Sequence, residues 1–411
     1  MTDRGGESRS AVSALLLLSV AVVLGLSVWF AASAAAPRLQ LRWGLDATRA
    51  GWLTSLVQLG FVAGTLTAAV FNLADIVPAR RYFSTSTAAA ALTNAALLAV
   101  PDYRWALVSR FATGFFLAGV YPPAMKMAAT WFRERRGLAI GTVVGALTLG
   151  KSTPYLVDAL GGAGIGWIVL STSACGILGA ALVAIGYRDG PHAFPRRPFS
   201  WRLVGDVVRC RKWRLATGGY LGHMWELYAF WTWIAAWLVA SSNSRAALPA
   251  ETPGGTGAKL AAFAAIAIGA AGCIWGGRVA DRIGYGPLTI RAMLVSGSCA
   301  LLAGFLYGAS FMLLLPLILV WGFFVIADSA QFSALVTEVV EPHAVGTALT
   351  LQVSLGFLLT TATIQLVPWL SSLIGWRWSF AVLAVGPALG IASIRSLSDT
   401  EPFRARGRWR R

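Results

Sequence analysis

Five ionisable side chains lie inside long apolar stretches of this 411-residue chain: Arg110, Lys151, His223, Glu226 and Asp328. A charge at the centre of a bilayer costs ~2.5–3.5 kcal/mol on insertion scales, so such a residue usually faces a cavity or an opposite charge. Groups of this kind can bind a charged solute or carry protons. The alternative is that they only balance one another, as Arg110 with Glu226 or Lys151 with Asp328.

Spacing places some of these side chains together. His223 and Glu226 are three residues apart, and so are Asp328 and Gln331. Residues three apart share one face of a helix. Because histidine titrates near neutrality, His223 is expected either to assist proton transfer or to hydrogen-bond to Glu226. We predict that all four side chains contact a substrate or take part in coupling.

Aromatic residues are dense around His223, and we predict that Tyr228 and Trp231 form walls of the same cavity. The sequence has no HExxH, GxSxG or phosphate-binding loop pattern. Its four cysteines and three histidines lack the spacing of metal ligands. We therefore expect no enzyme activity, no cofactor and no metal.

The composition indicates what must position these residues. Hydrophobic residues make up 57% of the chain and charged residues 12%, about half the charged fraction of a soluble protein. The apolar runs reach the ~20 residues that span a bilayer, which predicts an all-α polytopic membrane protein. The formal charge of +17 lies mainly in short gaps between the runs, as in cytoplasmic loops. A nucleic-acid partner is therefore not expected.

Charged and helix-breaking residues delimit twelve predicted transmembrane helices. Their approximate bounds are 11–35, 51–73, 82–100, 104–127, 137–158, 164–187, 214–240, 258–277, 289–309, 312–336, 345–371 and 377–395. Of the 34 Lys and Arg residues, 24 fall at the termini and in alternate gaps, and seven in the opposite gaps. Since cytoplasmic loops carry the excess of positive charge, both termini are predicted to be cytoplasmic, in a multi-pass protein of the cell (inner) membrane.

Short matches recur at offsets of 206 to 209 residues. The tripeptides that end at Asp75 and Asp281 correspond, as do the Gly-Trp pairs that begin at Gly166 and Gly375. We therefore predict two six-helix halves, 1–187 and 214–395, joined by a basic cytoplasmic linker, 188–213, and followed by a basic cytoplasmic tail, 396–411. Parallel repeats of this kind form transporters whose substrate site lies at the repeat interface.

A charged segment separates the eighth and ninth predicted helices, at residues 276–287, with the sequence GGRVADRIGYGP. We interpret it as a tight turn, since glycines permit unusual backbone conformations. Within it, Gly277, Asp281, Arg282 and Gly284 match the pattern G-x-x-x-D-R-x-G, whereas the corresponding segment in the first half keeps only Asp75.

These residues, together with Arg110, Gly114 and Ala118 in the pattern R-x-x-x-G-x-x-x-A, resemble the major facilitator superfamily over the full length of the chain. The resemblance implies that helices 1, 4, 7 and 10 line a central cavity. It also implies that the segments around Asp75 and Asp281 are gate elements that do not bind substrate. Helices 5 and 8, and 2 and 11, are expected to slide past each other.

We therefore expect a monomeric secondary transporter that works by alternating access and takes up a small organic anion together with protons. Arg110 and Lys151 would attract the anion, and Glu226 or Asp328 would exchange the proton. The proton gradient would supply the energy. Two alternatives stay open: a proton-driven drug or metabolite efflux antiporter, and a non-transporting membrane receptor or assembly factor on the same fold.

The better match in the second half generates a prediction about the gate. Asp281→Ala should reduce the transport rate more than Asp75→Ala, because only the second copy retains the complete glycine and arginine pattern. Initial rates of uptake into proteoliposomes, normalised to reconstituted protein, compare the two variants. The opposite order would place the dominant gate element in the first half.

Overall fold

The computed structural model describes residues 4–132, 136–161, 164–192, 199–244 and 255–399, without the side chains of 4–9, 74–75 and 136–138. Regular secondary structure in this part of the chain is entirely helical. We refer to the described residues up to 192 as the first half and to those from 199 onward as the second half.

The first half contains ten helical segments. They are α1 (Arg4–Leu26), α2 (Ala31–Ala34), α3 (Ala36–Trp43), α4 (Ala47–Val70), α5 (Leu73–Ile76), α6 (Ala79–Ala96), α7 (Tyr103–Leu117), α8 (Tyr121–Trp131), α9 (Arg136–Ala159) and α10 (Ile165–Gly186).

The described residues of the second half contain ten more, with two 3-10 turns at Pro342–Ala344 and Ala381–Ala384. They are α11 (Trp201–Arg209), α12 (Arg211–Asn243), α13 (Thr256–Ala267), α14 (Gly269–Ile283), α15 (Tyr285–Leu306), α16 (Phe311–Ala327), α17 (Ser329–Val339), α18 (Val345–Ile374), α19 (Trp376–Ser379) and α20 (Val385–Ser398).

Seven helical segments among the described residues are long and apolar enough to cross a membrane. They are Ala47–Val70, Ile165–Gly186, Thr256–Ile283, Tyr285–Leu306, Phe311–Val339, Pro342–Ile374 and Trp376–Ser398. The molecule is thus an all-helical, multi-pass membrane protein. The helix α12 falls outside this set although it is 33 residues long, and it carries His223 and Glu226 in its interior.

Several predicted helices are interrupted where the sequence suggested one continuous span, two of them in the first half. The first breaks at residues 27–30, between α1 and α2, and helical structure then resumes as far as Trp43. The fourth breaks at residues 118–120, just before Pro122 and Pro123. Proline lacks the backbone N–H that would continue the hydrogen-bond ladder. The helix α9, by contrast, runs without interruption through Pro154.

The charged segment at residues 276–287 is mostly helical, so its interpretation as a tight turn is wrong. Helix α14 continues through Gly276 and Gly277 to Ile283, and only Gly284, with φ +90°, separates it from α15. Gly276 is used for packing instead of turning. A Cβ built on Gly276 would lie 2.0 Å from the carbonyl oxygen of Ala327, so α14 and α16 approach at that point as only glycine permits.

Two sets of helix contacts connect the halves. Helix α9 packs along α13 and α14, and α4 packs along α18. Gly145 faces Ala270 across the first contact, where a Cβ would lie 3.2 Å from the Ala270 carbonyl oxygen. Gly60 instead serves packing inside the first half, since its Cβ would lie 2.0 Å from the carbonyl oxygen of Phe111. Small residues thus bring backbones together both within and between the halves.

The neighbouring glycines of α14 should respond differently to substitution. Gly276→Ala is expected to lower the melting temperature in detergent, because overpacking costs about 1–3 kcal/mol and here the added carbon meets backbone. Gly277→Ala should keep or raise it, since no atom lies within 4 Å of the place its Cβ would occupy and alanine favours a helix by about 1 kcal/mol. Equal melting temperatures would contradict the packing described for Gly276.

Candidate functional site

Lys151, on α9, lies between the two halves with its side chain enclosed by aromatic rings. It is 1% exposed. Its Nζ lies 3.9 Å from the ring centre of Trp29, 4.6 Å from that of Tyr228 and 5.6 Å from that of Trp231, and it donates a hydrogen bond to the Tyr228 hydroxyl. Contacts between a cation and an aromatic face are worth about 0.5–2 kcal/mol each. The ammonium group is therefore held by π faces and one hydroxyl oxygen.

Three phenylalanines complete this enclosure. Phe30 lies 6.2 Å from Trp231, and Phe61 lies 5.1 Å from Trp29 and 4.4 Å from Phe357, measured between ring centres. We call the three rings that contact Lys151 and the three phenylalanines packed against them the aromatic cage: Trp29, Tyr228 and Trp231, with Phe30, Phe61 and Phe357. Three come from the first half and three from the second, so the cage fills the interface between the halves.

The break in the first helix places two of these rings. Trp29 and Phe30 belong to residues 27–30, and the carbonyl oxygens freed there need hydrogen-bond donors. Arg110 supplies them: its Nη2 donates to the carbonyl oxygens of Val28 (3.1 Å) and Trp29 (2.8 Å). Its Nη1 donates to Asn94 Oδ1 at 2.6 Å. Arg110 is 0% exposed. Its hydrogen bonds hold the backbone that carries Trp29 and so stabilise the position of that ring in the cage.

Asn94, on α6, fixes Arg110 in turn. Its amide nitrogen donates to Ser173 Oγ at 2.9 Å and Thr172 Oγ1 at 3.2 Å, both on α10. The side-chain oxygen is therefore oriented toward the guanidinium group. This polar network ties α6, α7 and α10 to the break in the first helix.

His223 and Asp328 meet inside the second half. His223 Nδ1 lies 2.9 Å from Asp328 Oδ1, and both side chains are buried. Asp328 occupies the break between α16 and α17. His223 Nε2 and Gln331 Oε1 are buried and have no hydrogen-bond partner among the described residues. A histidine and a carboxylate in contact can hold and exchange a proton.

Glu226 has different partners from those expected. Its carboxylate accepts hydrogen bonds from Trp321 Nε1 at 2.6 Å and Ser296 Oγ at 2.8 Å. The expected hydrogen bond from His223 is absent from the described contacts, because that imidazole faces Asp328. The two charge-balancing pairs also do not form: Arg110 contacts Asn94, and Lys151 contacts Tyr228.

The predicted gate residues lie apart from the cage. Asp281 and Arg282 are exposed near the end of α14, and neither forms an ion pair within the described part of the chain. Gly277 has open space around it, and Gly284 ends the helix. Asp75 lies in α5, and its side chain is outside the described residues.

Three charged residues form a cluster at the other end of the molecule. Asp158 accepts from Arg38 Nη1 at 2.6 Å through Oδ1, and its Oδ2 lies 3.2 Å from Lys259 Nζ. We call Arg38, Asp158 and Lys259 the outer ion cluster, because charge counting predicts that this end faces away from the cytoplasm. Arg38 and Asp158 belong to the first half and Lys259 to the second. The pair Asp158–Lys259 therefore links the halves.

Several residues of the site could not be recognised from the sequence. Trp29, Phe61 and Phe357 look like ordinary members of apolar helices, and nothing in their spacing separates a cage from a core. Asn94 could have been recognised from the sequence, since an amide side chain in an apolar span needs hydrogen-bond partners. Gln58 is a second such amide: it is 0% exposed, neither of its amide atoms has a partner among the described residues, and it lies one turn from Phe61.

Comparison with known families decides the identity of the fold. The model of the Major Facilitator Superfamily matches residues 17–362, well over half of the chain. The chain belongs to the Major Facilitator Superfamily. It is accordingly a non-enzymatic membrane protein of a family of secondary transporters. No curated protein sequence matches it.

Solved structures of low sequence identity share the fold. A bacterial homolog of the human lysosomal transporter Spinster, inward-facing and occupied, superimposes with a TM-score of 0.73 at 15% identity, over 96% of this chain and 97% of that one. The unoccupied form of the same homolog superimposes with a TM-score of 0.71 at 15% identity, over 94% of this chain and 97% of that one. The E. coli fucose:proton symporter superimposes with a TM-score of 0.67 at 13% identity, over 95% of this chain and 100% of that one.

The outer ion cluster generates a prediction about conformation. Lys259→Gln should raise the population open at the outer end about fivefold, because a partly buried ion pair contributes about 1 kcal/mol and this one joins the halves. Spin labels at the exposed residues Leu41 and Met312 would report longer distances by double electron–electron resonance.

The matched control for this measurement is Arg38→Gln, which removes a contact within the first half and leaves Asp158 paired with Lys259. It should change the distance distribution less than Lys259→Gln. Identical distributions for Lys259→Gln and the unmodified protein would show that the pair does not hold the halves together.

Proposed function

We propose that this protein is a proton-coupled symporter that takes up a small organic anion, with Lys151 as the group that binds the anion. The observation that carries the proposal is the environment of Lys151: a buried ammonium group between the halves, with no carboxylate partner among the described residues. A buried cation is expected to have a compensating anion. A transported anion would supply it.

The origin of the cage from both halves suggests how binding and release would alternate. Trp29 belongs to the first half, and Tyr228 and Trp231 belong to the second. Separation of the halves would therefore remove rings from the ammonium group and leave it in need of a partner. A carboxylate forms a charge-assisted hydrogen bond that is stronger than a neutral one, so it would replace the rings in the opened state.

The pair His223–Asp328 is the proposed proton carrier. Its two side chains are buried and in contact, and an ionised Asp328 in the same low-dielectric interior would repel an incoming anion. Protonation would remove that repulsion and so raise the affinity for the anion. By linkage, the anion would raise the affinity for the proton equally. Reciprocal coupling of this sign is what a symporter requires.

The remaining predicted residues would have supporting roles. Arg110 positions the break that carries Trp29. Glu226, which accepts from Ser296 and Trp321, links α12 to α15 and α16. The two six-helix halves would lie in the cell inner membrane as a monomer with cytoplasmic termini, given the distribution of Lys and Arg. The proton gradient would drive transport without a nucleotide or other cofactor.

The test is uptake of radiolabelled acetate, lactate, benzoate, gluconate and citrate into proteoliposomes with an imposed proton gradient. We expect at least one anion to accumulate only when the outside is acidic. Lys151→Gln should reduce that uptake at least tenfold, since it removes the cation. Asp328→Asn should keep counterflow exchange but lose acceleration by the gradient, because its side chain no longer titrates.

Lys212→Gln, in the first turn of α12 and away from the cage, is the matched control and should transport normally. Uptake that does not respond to the gradient would contradict proton coupling. Normal uptake by Lys151→Gln would remove the anion-binding role. Proton-driven export of a cationic dye that requires Glu226 would instead support the efflux antiporter.

A further inference from the structure

Two tryptophans of the aromatic cage have indole N–H groups without a hydrogen-bond partner. Trp29 is 1% exposed and Trp231 is 0% exposed, and in both cases Nε1 contacts no acceptor among the described residues. An unsatisfied buried donor is costly and rare, so each instance needs an explanation. Both orphaned groups belong to rings that surround Lys151.

Other buried tryptophans show that this protein normally satisfies its indoles. The Nε1 groups of four donate hydrogen bonds, to the carbonyl oxygens of Ala348, Ile364 and Trp376 and to the Glu226 carboxylate. These are Trp213, Trp233, Trp237 and Trp321. Among the buried tryptophans of the described residues, only Trp29 and Trp231 have an indole N–H without a partner, and both rings contact Lys151, which has no carboxylate partner there either.

From this arrangement, and resting on the function proposed above, we propose that the cage binds an aromatic monocarboxylate. Its two carboxylate oxygens accept from Lys151 Nζ, from the indole N–H groups of Trp29 and Trp231, and from the Tyr228 hydroxyl. The Tyr228 oxygen accepts from Lys151, which leaves its own proton free to donate. The planar body of the ligand packs against the rings of Phe30, Phe61 and Phe357.

The number of charges and the composition of the walls define the ligand class. One cation lies within the cage, so it matches one carboxylate, and a second ionised group would enter an apolar enclosure uncompensated. The walls are aromatic, and offset or edge-to-face ring contacts contribute beyond simple burial. A polyhydroxylated acid would lose its hydration without equivalent partners on these rings.

Isothermal titration of the purified full-length protein tests the ligand class with benzoate as the probe. The comparison compounds are benzamide, which is flat but uncharged, cyclohexanecarboxylate, which is charged but not flat, phthalate, which is a dianion, and gluconate, which is polyhydroxylated. We expect benzoate to bind at least tenfold more tightly than each of the four. Gluconate or phthalate binding as tightly as benzoate would overturn the assignment.

A matched pair of variants tests the orphaned donors. Trp231→Phe keeps an aromatic ring but removes the N–H, and should weaken benzoate about tenfold, as expected for a hydrogen bond to a charged group. Trp233→Phe removes an N–H that donates to Ile364 and should leave the benzoate affinity unchanged while lowering the melting temperature. Equal benzoate affinities for Trp231→Phe and the unmodified protein would contradict the role of the indole.

Distinct outcomes separate the ligand class from the proposed function. If benzoate does not bind but another anion is taken up in a manner that requires Lys151, the ligand class is wrong and the symporter proposal stands. If benzoate binds Lys151→Gln as tightly as the unmodified protein, the cage is not the site. If no anion depends on Lys151 in binding or in uptake, both proposals fail together.

Discussion

An ammonium group without a counter-ion among the described residues, buried where the two halves meet, is the constraint on which the rest of this structure depends. Within the described part of the chain, the free energy of placing Lys151 there is lowered by ring faces and by the Tyr228 hydroxyl. Those rings must therefore be placed accurately. Trp29 can reach the ammonium group because the first helix breaks at residues 27–30, and that break persists because Arg110 donates to the carbonyl oxygens of Val28 and Trp29. The polar network of Arg110 and Asn94 inside the first half thus positions the rings of the cage, which lie where that half meets the second.

The halves carry different chemistry on the same plan. In the first half, Arg110 and Asn94 stabilise backbone, and Lys151 faces the partner half. In the second half, His223 and Asp328 contact each other, and Glu226 binds the side chains of neighbouring helices. Under the proposed function, a cation without a carboxylate partner among the described residues and a separate histidine–carboxylate pair favour coupled movement of an anion and a proton over independent movement of either. The fold alone does not require this coupling.

The sequence was sufficient for the class of fold, because membrane-length apolar runs and the glycine–aspartate pattern depend on local composition. It also singled out Lys151, Tyr228 and Trp231, which the structure places in contact, since a charge or a dense aromatic stretch in an apolar helix stands out. It could not identify their partners. The contact of Lys151 with Trp29 joins residues that are far apart in the sequence. Asp328 contacts His223 from the interruption between α16 and α17, which the sequence did not reveal. The segment at residues 276–287 was misread because glycine serves both turns and close packing, and only the approach of Gly276 to Ala327 separates the two uses.

The two halves contact each other both at the outer ion cluster and at the aromatic cage, so opening the molecule must break contacts at both places. At the outer end, Asp158 pairs with Lys259 across the interface, whereas Asp281 near the opposite end is exposed and has no ion pair within the described residues. Between them, rings of the cage from the two halves contact one another, and Tyr155 of the first half donates to the Trp231 carbonyl oxygen of the second at 2.8 Å. Under the proposed function, a solute that reaches the ammonium group must therefore break contacts that hold the halves together. Binding can then shift the conformational equilibrium by as much as the solute's contacts exceed those it replaces. If Lys151 is the binding group, coupling between occupancy and opening follows because the same rings contact the ammonium group and join the halves.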